Sequence, residues 1–117
     1  MIRLTTILAL TACLAVAHAP ATLWTKYYGG AADDMAHTII GDGSGGFVVA
    51  GVTGSSGAGG WDVWLLELDS FGAIAWDRTY GGSADEAGIF MSPVRRGGFI
   101  IAGYTTSFGS GGMDVYL

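Results

Sequence analysis

The heptapeptide GGFVVAG, Gly45 to Gly51, returns 52 positions later as GGFIIAG, Gly97 to Gly103. Its surroundings return at the same offset. Trp24, Tyr28, Gly29 and Gly30 become Trp76, Tyr80, Gly81 and Gly82, while Asp62, Val63 and Leu65 become Asp114, Val115 and Leu117. Laid over one another, 24–65 and 76–117 share 19 identities in 42 positions. A period of this length marks a repeat architecture, in which each unit buries its apolar face against its neighbours. The chain therefore divides into a leader, 1–21, and a repeat region, 22–117. The repeat region holds one full unit, 24–75, and a second, truncated one, 76–117.

Composition says what kind of unit this is. Glycine supplies 21 of the 117 residues and proline only two, without a Gly-X-Y period, so collagen is excluded. Half of the residues are hydrophobic, too many for a disordered chain. Apolar, β-branched and aromatic runs between glycine clusters read as short strands joined by tight turns. The expected strands are 23–28, 36–40, 46–53, 61–68 and 74–80, then 87–92, 98–105 and 114–117. The uninterrupted apolar run at 46–53 implies burial on both faces, so Val48, Val49 and Ala50 are expected inside, with Ile100, Ile101 and Ala102 as their counterparts. Four short strands per 52 residues is the arithmetic of a β-propeller blade. A β-solenoid is the alternative, but its coils are usually shorter. The expectation is an all-β fold of two four-stranded antiparallel blades, a partial propeller, in which strand 23–28 completes the last blade. Closed rings take roughly 4–8 blades, so further copies of the unit in the same chain are expected.

The segments WDRTYGGSADEA, GGFIIAGYTTSFGSGGMDVYL and LDSFGAIAW resemble the bacterial and archaeal extracellular β-propeller repeats. Those combine a Tyr-Gly-Gly turn, an apolar strand ending in Ala-Gly, a Gly-Gly-x-Asp, and a Leu-Asp-x-x-Gly followed by Trp. The resemblance covers 24–117 and departs at 92–96, where Pro93, Arg95 and Arg96 replace a polar turn. It implies an exported or surface-attached protein built of several blades. Trp24, Gly29, Gly30 and Asp62, with Trp76, Gly81, Gly82 and Asp114, are its structural repeat positions.

The leader agrees with export. Arg3 gives a short positive start, 4–16 is largely apolar, and Ala17-His18-Ala19 fits a small-x-small cleavage site. The run is shorter than the roughly 20 apolar residues that a membrane-spanning helix needs. Leu10-Thr11-Ala12-Cys13 also resembles a bacterial lipobox, which would make a lipidated Cys13 the new N-terminus. Membrane contact is thus expected only through the leader or a lipid. Cys13 is the single cysteine, so the repeat region has no disulfide.

Charge narrows the partners. Without Arg3, four basic residues face ten acidic ones. Nucleic-acid affinity comes largely from Lys and Arg neutralising phosphates, so no nucleic acid is expected. Arg95-Arg96 reads as a solvated turn.

The acidic pairs Asp33-Asp34 and Asp85-Glu86 occupy equivalent positions. They are the candidates for a hard cation such as calcium, which takes carboxylate and carbonyl oxygens. The competing reading is a turn cap on backbone N–H groups. Asp42 opens a Gly/Ser hairpin whose counterpart begins at Val94, so it reads as a turn residue. Asp62 and Asp114 follow Gly-Gly pairs whose N–H groups could bond a buried carboxylate; a ligand role facing a pore is the alternative. Trp24, Trp61, Trp64 and Trp76 read as packing residues, with sugar stacking as the rival for Trp61. His37 has no nucleophile or acid at a recognisable spacing, so no catalytic triad is expected.

No catalytic residue and no bound cofactor are expected. The reading is an exported, non-enzymatic scaffold that binds a protein or glycan ligand. Two rivals stand beside it: a quinoprotein-like propeller oxidoreductase, suggested by Leu68-Asp69-x-x-Gly72-x-x-x-Trp76, and a carbohydrate-binding or adhesion module. Fold alone does not choose among them.

Overall fold

The glycine-rich turns cut the chain into stretches of β-branched and aromatic residues. The computed structural model, which describes residues 24–117, assembles these into two antiparallel sheets. The strands are β1 (Asp34–Gly41), β2 (Phe47–Thr53), β3 (Asp62–Leu68), β4 (Ile74–Tyr80), β5 (Glu86–Pro93), β6 (Phe99–Thr105) and β7 (Asp114–Tyr116). The first sheet has the order β1-β2-β3-β4 and the second β5-β6-β7. Each strand pairs with its sequence neighbour, so both sheets are meanders.

β1–β2 and β5–β6 pair in one register displaced by 52 positions. Asp34 faces Thr53 and Glu86 faces Thr105, Ala36 faces Gly51 and Gly88 faces Gly103. The ladder slips between Ala36 and Thr38, and again between Gly88 and Phe90. A bulge thus leaves His37 and Ile89 as the extra residues. It brings the bulged backbone down onto the partner strand. A Cβ on Gly51 would overlap the Met35 carbonyl oxygen, and one on Gly103 the Ala87 carbonyl oxygen. This close approach is why each apolar strand carries Ala-Gly at its centre.

β2 is buried on both sides, as its sequence implies. On one side Val48, Ala50 and Leu65 meet Met91, Phe99 and Ile101 of the second sheet, joined by Ile40 and Trp76. On the other side Val49, Leu66 and Leu68 lie under Tyr28, Phe47 and Trp64. The two sheets are therefore stacked face to face, and successive sheets share one core.

Three expectations need correction. The fold is all-β, but the sheets have four and three strands rather than four each. The described part of the expected strand 23–28 is not in a strand. Its aromatic groups are anchored elsewhere: Trp24 Nε1 donates to the Ser70 carbonyl (2.9 Å) and Tyr28 Oη to the Gly72 carbonyl (2.7 Å), while the Trp24 ring stands edge-on to Phe47. Finally, Ile100 is exposed and Ile101 and Ala102 are only half-buried, although Val48, Val49 and Ala50 are buried. Among the described residues, nothing packs on the outer face of the second sheet.

The leader, with Cys13 and the cleavage motif, lies outside the described residues.

Candidate functional site

The acidic turns occupy the same place in both units, beside the start of β1 and of β5. Each carboxylate at the second acidic position holds its Tyr-Gly-Gly turn to the end of the neighbouring strand. Asp34 Oδ2 accepts Gly30 N (2.9 Å) and Ser55 Oγ (2.7 Å), and its Oδ1 accepts Thr53 Oγ1. Glu86 Oε2 accepts Gly82 N (2.6 Å), while Oε1 accepts Thr105 Oγ1 (2.7 Å) and Ser107 N (3.2 Å). Ser55 and Ser107 complete each clasp by receiving Ala32 N and Ala84 N on their hydroxyl oxygens, at 3.0 and 2.9 Å.

These donors favour the charged carboxylate. The Thr53 hydroxyl leads in holding Asp34 below its ordinary pKa; burial opposes it, and Gly30 and Ser55 add to it. For Glu86, burial works to raise the pKa. The Ser107, Thr105 and Gly82 donors together outweigh it, and the carboxyl stays below its ordinary value although its side chain is fully buried.

The first acidic positions behave differently. Asp85 Oδ1 accepts Trp61 N (2.9 Å), tying the second unit's turn to the loop before β3 of the first. Gly60 N donating to the Ala84 carbonyl (3.0 Å) and Glu86 N to the Trp61 carbonyl (2.6 Å) complete that seam. The Asp33 carbonyl accepts Gly54 N (2.9 Å).

Asp62 lies in the seam, fully buried. Its Oδ2 accepts Gly59 N (3.2 Å), and its Oδ1 has no partner among the described residues. Asp62 Oδ1 and Glu86 Oε2 both reach the space a Cβ on Gly81 would fill, so two carboxylates from successive units meet across a glycine. Asp114, the counterpart of Asp62, is only half-buried and accepts Ser110 N (3.1 Å) instead of a Gly-Gly amide. No group of three or more His, Cys, Asp and Glu converges among the described residues.

Asp42 caps its hairpin through Ser44 N (2.7 Å) and Gly46 N (3.0 Å), and the Ser44 N–H and hydroxyl lead in lowering its pKa. Val94 needs no carboxylate, because its N–H closes the same turn on the Gly98 carbonyl (3.1 Å) as Asp42 N does on Gly46 (3.1 Å). Arg95 and Arg96 form the exposed tip of that turn. Trp76 joins the inter-sheet core and Trp64 the other, where its Nε1 also donates to Asp77 Oδ2 (3.0 Å). Trp61 is half-buried in the seam.

Two groups escaped the sequence reading. One is Thr53 and Ser55 with Thr105 and Ser107; their signal was present, since Thr-x-Ser recurs at the 52-residue offset. The other is the linking role of His37, which the sequence reading weighed only as a catalytic residue and set aside: its Nδ1 lies 2.8 Å from the Gly88 carbonyl and joins the two sheets. Its counterpart is Ile89, so no repetition marked it.

No family model, curated protein or solved structure matches the chain.

Proposed function

We propose that this chain is a stretch of an exported β-propeller-type scaffold, whose stacked sheets present loops to a protein or glycan ligand. One observation carries the reading. The acidic side chains of the recurring turns bond equivalent residues in both units, Gly30, Thr53 and Ser55 at Asp34 and Gly82, Thr105 and Ser107 at Glu86, holding turn to strand. Groups engaged in this way support a framework, and the reading assigns them no catalytic step. The leader supports export.

Cell fractionation of the natural host with N-terminal sequencing tests the export half. Surface or secreted protein should begin between His18 and Thr22, or at a lipidated Cys13. Cytoplasmic protein beginning at Met1 would end that half. For the scaffold half, the purified protein should bind in a glycan array or a cross-linking capture of surface proteins, and should show no quinone absorbance. A quinone band that co-purifies with the native protein would replace the scaffold with the oxidoreductase.

A further inference from the structure

Two buried carboxylates meet at the junction of the two units, and one of them lacks a partner on the side where they meet. Asp62 opens β3 and Glu86 opens β5, and both side chains are fully buried. Gly81 stands between them. A Cβ on that glycine would lie 2.0 Å from Asp62 Oδ1 and 2.5 Å from Glu86 Oε2. The two oxygens are therefore separated by no more than the sum of those distances. That is less than the roughly 5 Å between opposite oxygen ligands of one calcium ion. The pair is assembled from described residues of two successive units and depends on neither end of the chain.

The two carboxylates are unequally provided for. Glu86 receives Gly82 N, the Thr105 hydroxyl and Ser107 N, which keep it charged against the effect of burial. Asp62 receives Gly59 N alone, at 3.2 Å on Oδ2. Its Oδ1, on the side of Glu86, accepts nothing among the described residues. Buried charges are ordinarily paired with an opposite charge or bound to a metal ion. The repeat region offers four cationic side chains, Lys26, Arg78, Arg95 and Arg96, and all four are exposed whereas the pair is buried.

The groups at the junction are oxygens. Besides the carboxylates, the Gly82 carbonyl oxygen enters the seam, 2.4 Å from the place of a Cβ on Gly59. The repeat region has no cysteine, and the His37 ring is engaged with the Gly88 carbonyl. Oxygen ligands suit a hard cation, whereas zinc favours sulfur and nitrogen. No third acid converges here, but calcium fills much of its shell of six to eight oxygens with carbonyls and water.

We propose that Asp62 Oδ1 and Glu86 Oε2 hold a calcium-class cation between successive units, fastening β3 of the first sheet to β5 of the second. The ion gives Asp62 Oδ1 its missing partner and cancels the repulsion of two like charges. It is a structural ion, and its role does not depend on export or on the ligand that the loops present.

The test is isothermal titration of the purified, chelator-stripped protein with calcium chloride, beside Asp62→Asn and a control, Asp42→Asn, in a hairpin turn outside the junction. The parent should bind calcium saturably and melt at a higher temperature once loaded. Asp62→Asn should bind one ion fewer per chain, and Asp42→Asn should bind as many as the parent. Terbium, a calcium substitute, reads the parent without any variant. Its tryptophan-sensitised emission should saturate and be displaced by calcium, since Trp61 adjoins Asp62 in the chain. Absence of that emission overturns the proposal. So does a parent whose melting is indifferent to calcium while Asp62→Asn melts higher, which would mean that a proton or a water serves the pair. Equal calcium uptake by all three proteins also overturns it, as the sign of diffuse acidic charge only.

Discussion

Thr53 and Thr105 each donate a hydroxyl to an acidic side chain 19 positions earlier, and burial separates the two cases. Glu86 and Thr105 are both fully buried, whereas Asp34 is partly exposed. Thr105→Val leaves a buried carboxylate short of a donor and should cost about 1–3 kcal/mol. Thr53→Val should cost less, because water can replace the lost hydroxyl at Asp34. Urea unfolding of both variants checks this; equal midpoints would contradict the burial argument. The clasps also set the acid limit. Asp34 and Glu86 have folded pKa values below their ordinary 3.8 and 4.5, so their stabilisation is complete above those values. It is lost as pH falls through the lower, folded values. The urea midpoint should be flat from neutrality to about pH 5 and drop below that. Glu86→Gln should make the drop shallower, and an unchanged slope would remove Glu86 from the account. Much of this was legible in outline, since Asp34, Glu86 and both Thr-x-Ser pairs sit at one period. The opposition of Asp62 to Glu86 was not, because it joins residues of different units that no repetition aligns.

The recurrent Ala-Gly at the middle of each apolar strand belongs to a pair of strands. Gly51 lies under the bulged backbone of β1, and Gly103 under that of β5. Gly51→Ala forces a methyl group into a carbonyl oxygen and should destabilise by about 1–3 kcal/mol, as overpacking typically does. Gly41→Ala, at the open end of β1 where a Cβ meets nothing within 4 Å, should be near neutral. Thermal melts of the two variants make the comparison, and similar losses would mean the bulge does not set the glycine. Strand positions were readable because at least one glycine stands between every two successive strands. The segment 24–28 misled because it has strand composition, Trp and Tyr with a β-branched Thr, while its fate was decided by two long-range bonds to Ser70 and Gly72. The bulge itself was invisible, since an extra residue changes neither composition nor apolar content.

Across the whole molecule, equivalent residues have unequal surroundings. Val48 is sealed between the sheets, whereas Ile100, in the same register 52 residues on, faces outward. Val48→Asp buries an unpaired charge and should cost several kcal/mol. Ile100→Asp should leave the urea midpoint of the single chain nearly unchanged. If both variants unfold alike, the stacking direction is wrong. Periodicity predicts equal environments for equal residues, and it cannot register which surface has a neighbour. The stacking also sets a timetable for synthesis. Within the first sheet each strand after β1 pairs with the one made just before it, so that sheet can close its ladder once Tyr80 has left the ribosome. Its Val48, Ala50 and Leu65 then wait for Met91, Phe99 and Ile101. During that interval a nascent chain carries a finished sheet with one bare apolar face, which is the stretch of translation when a chaperone has most to hold.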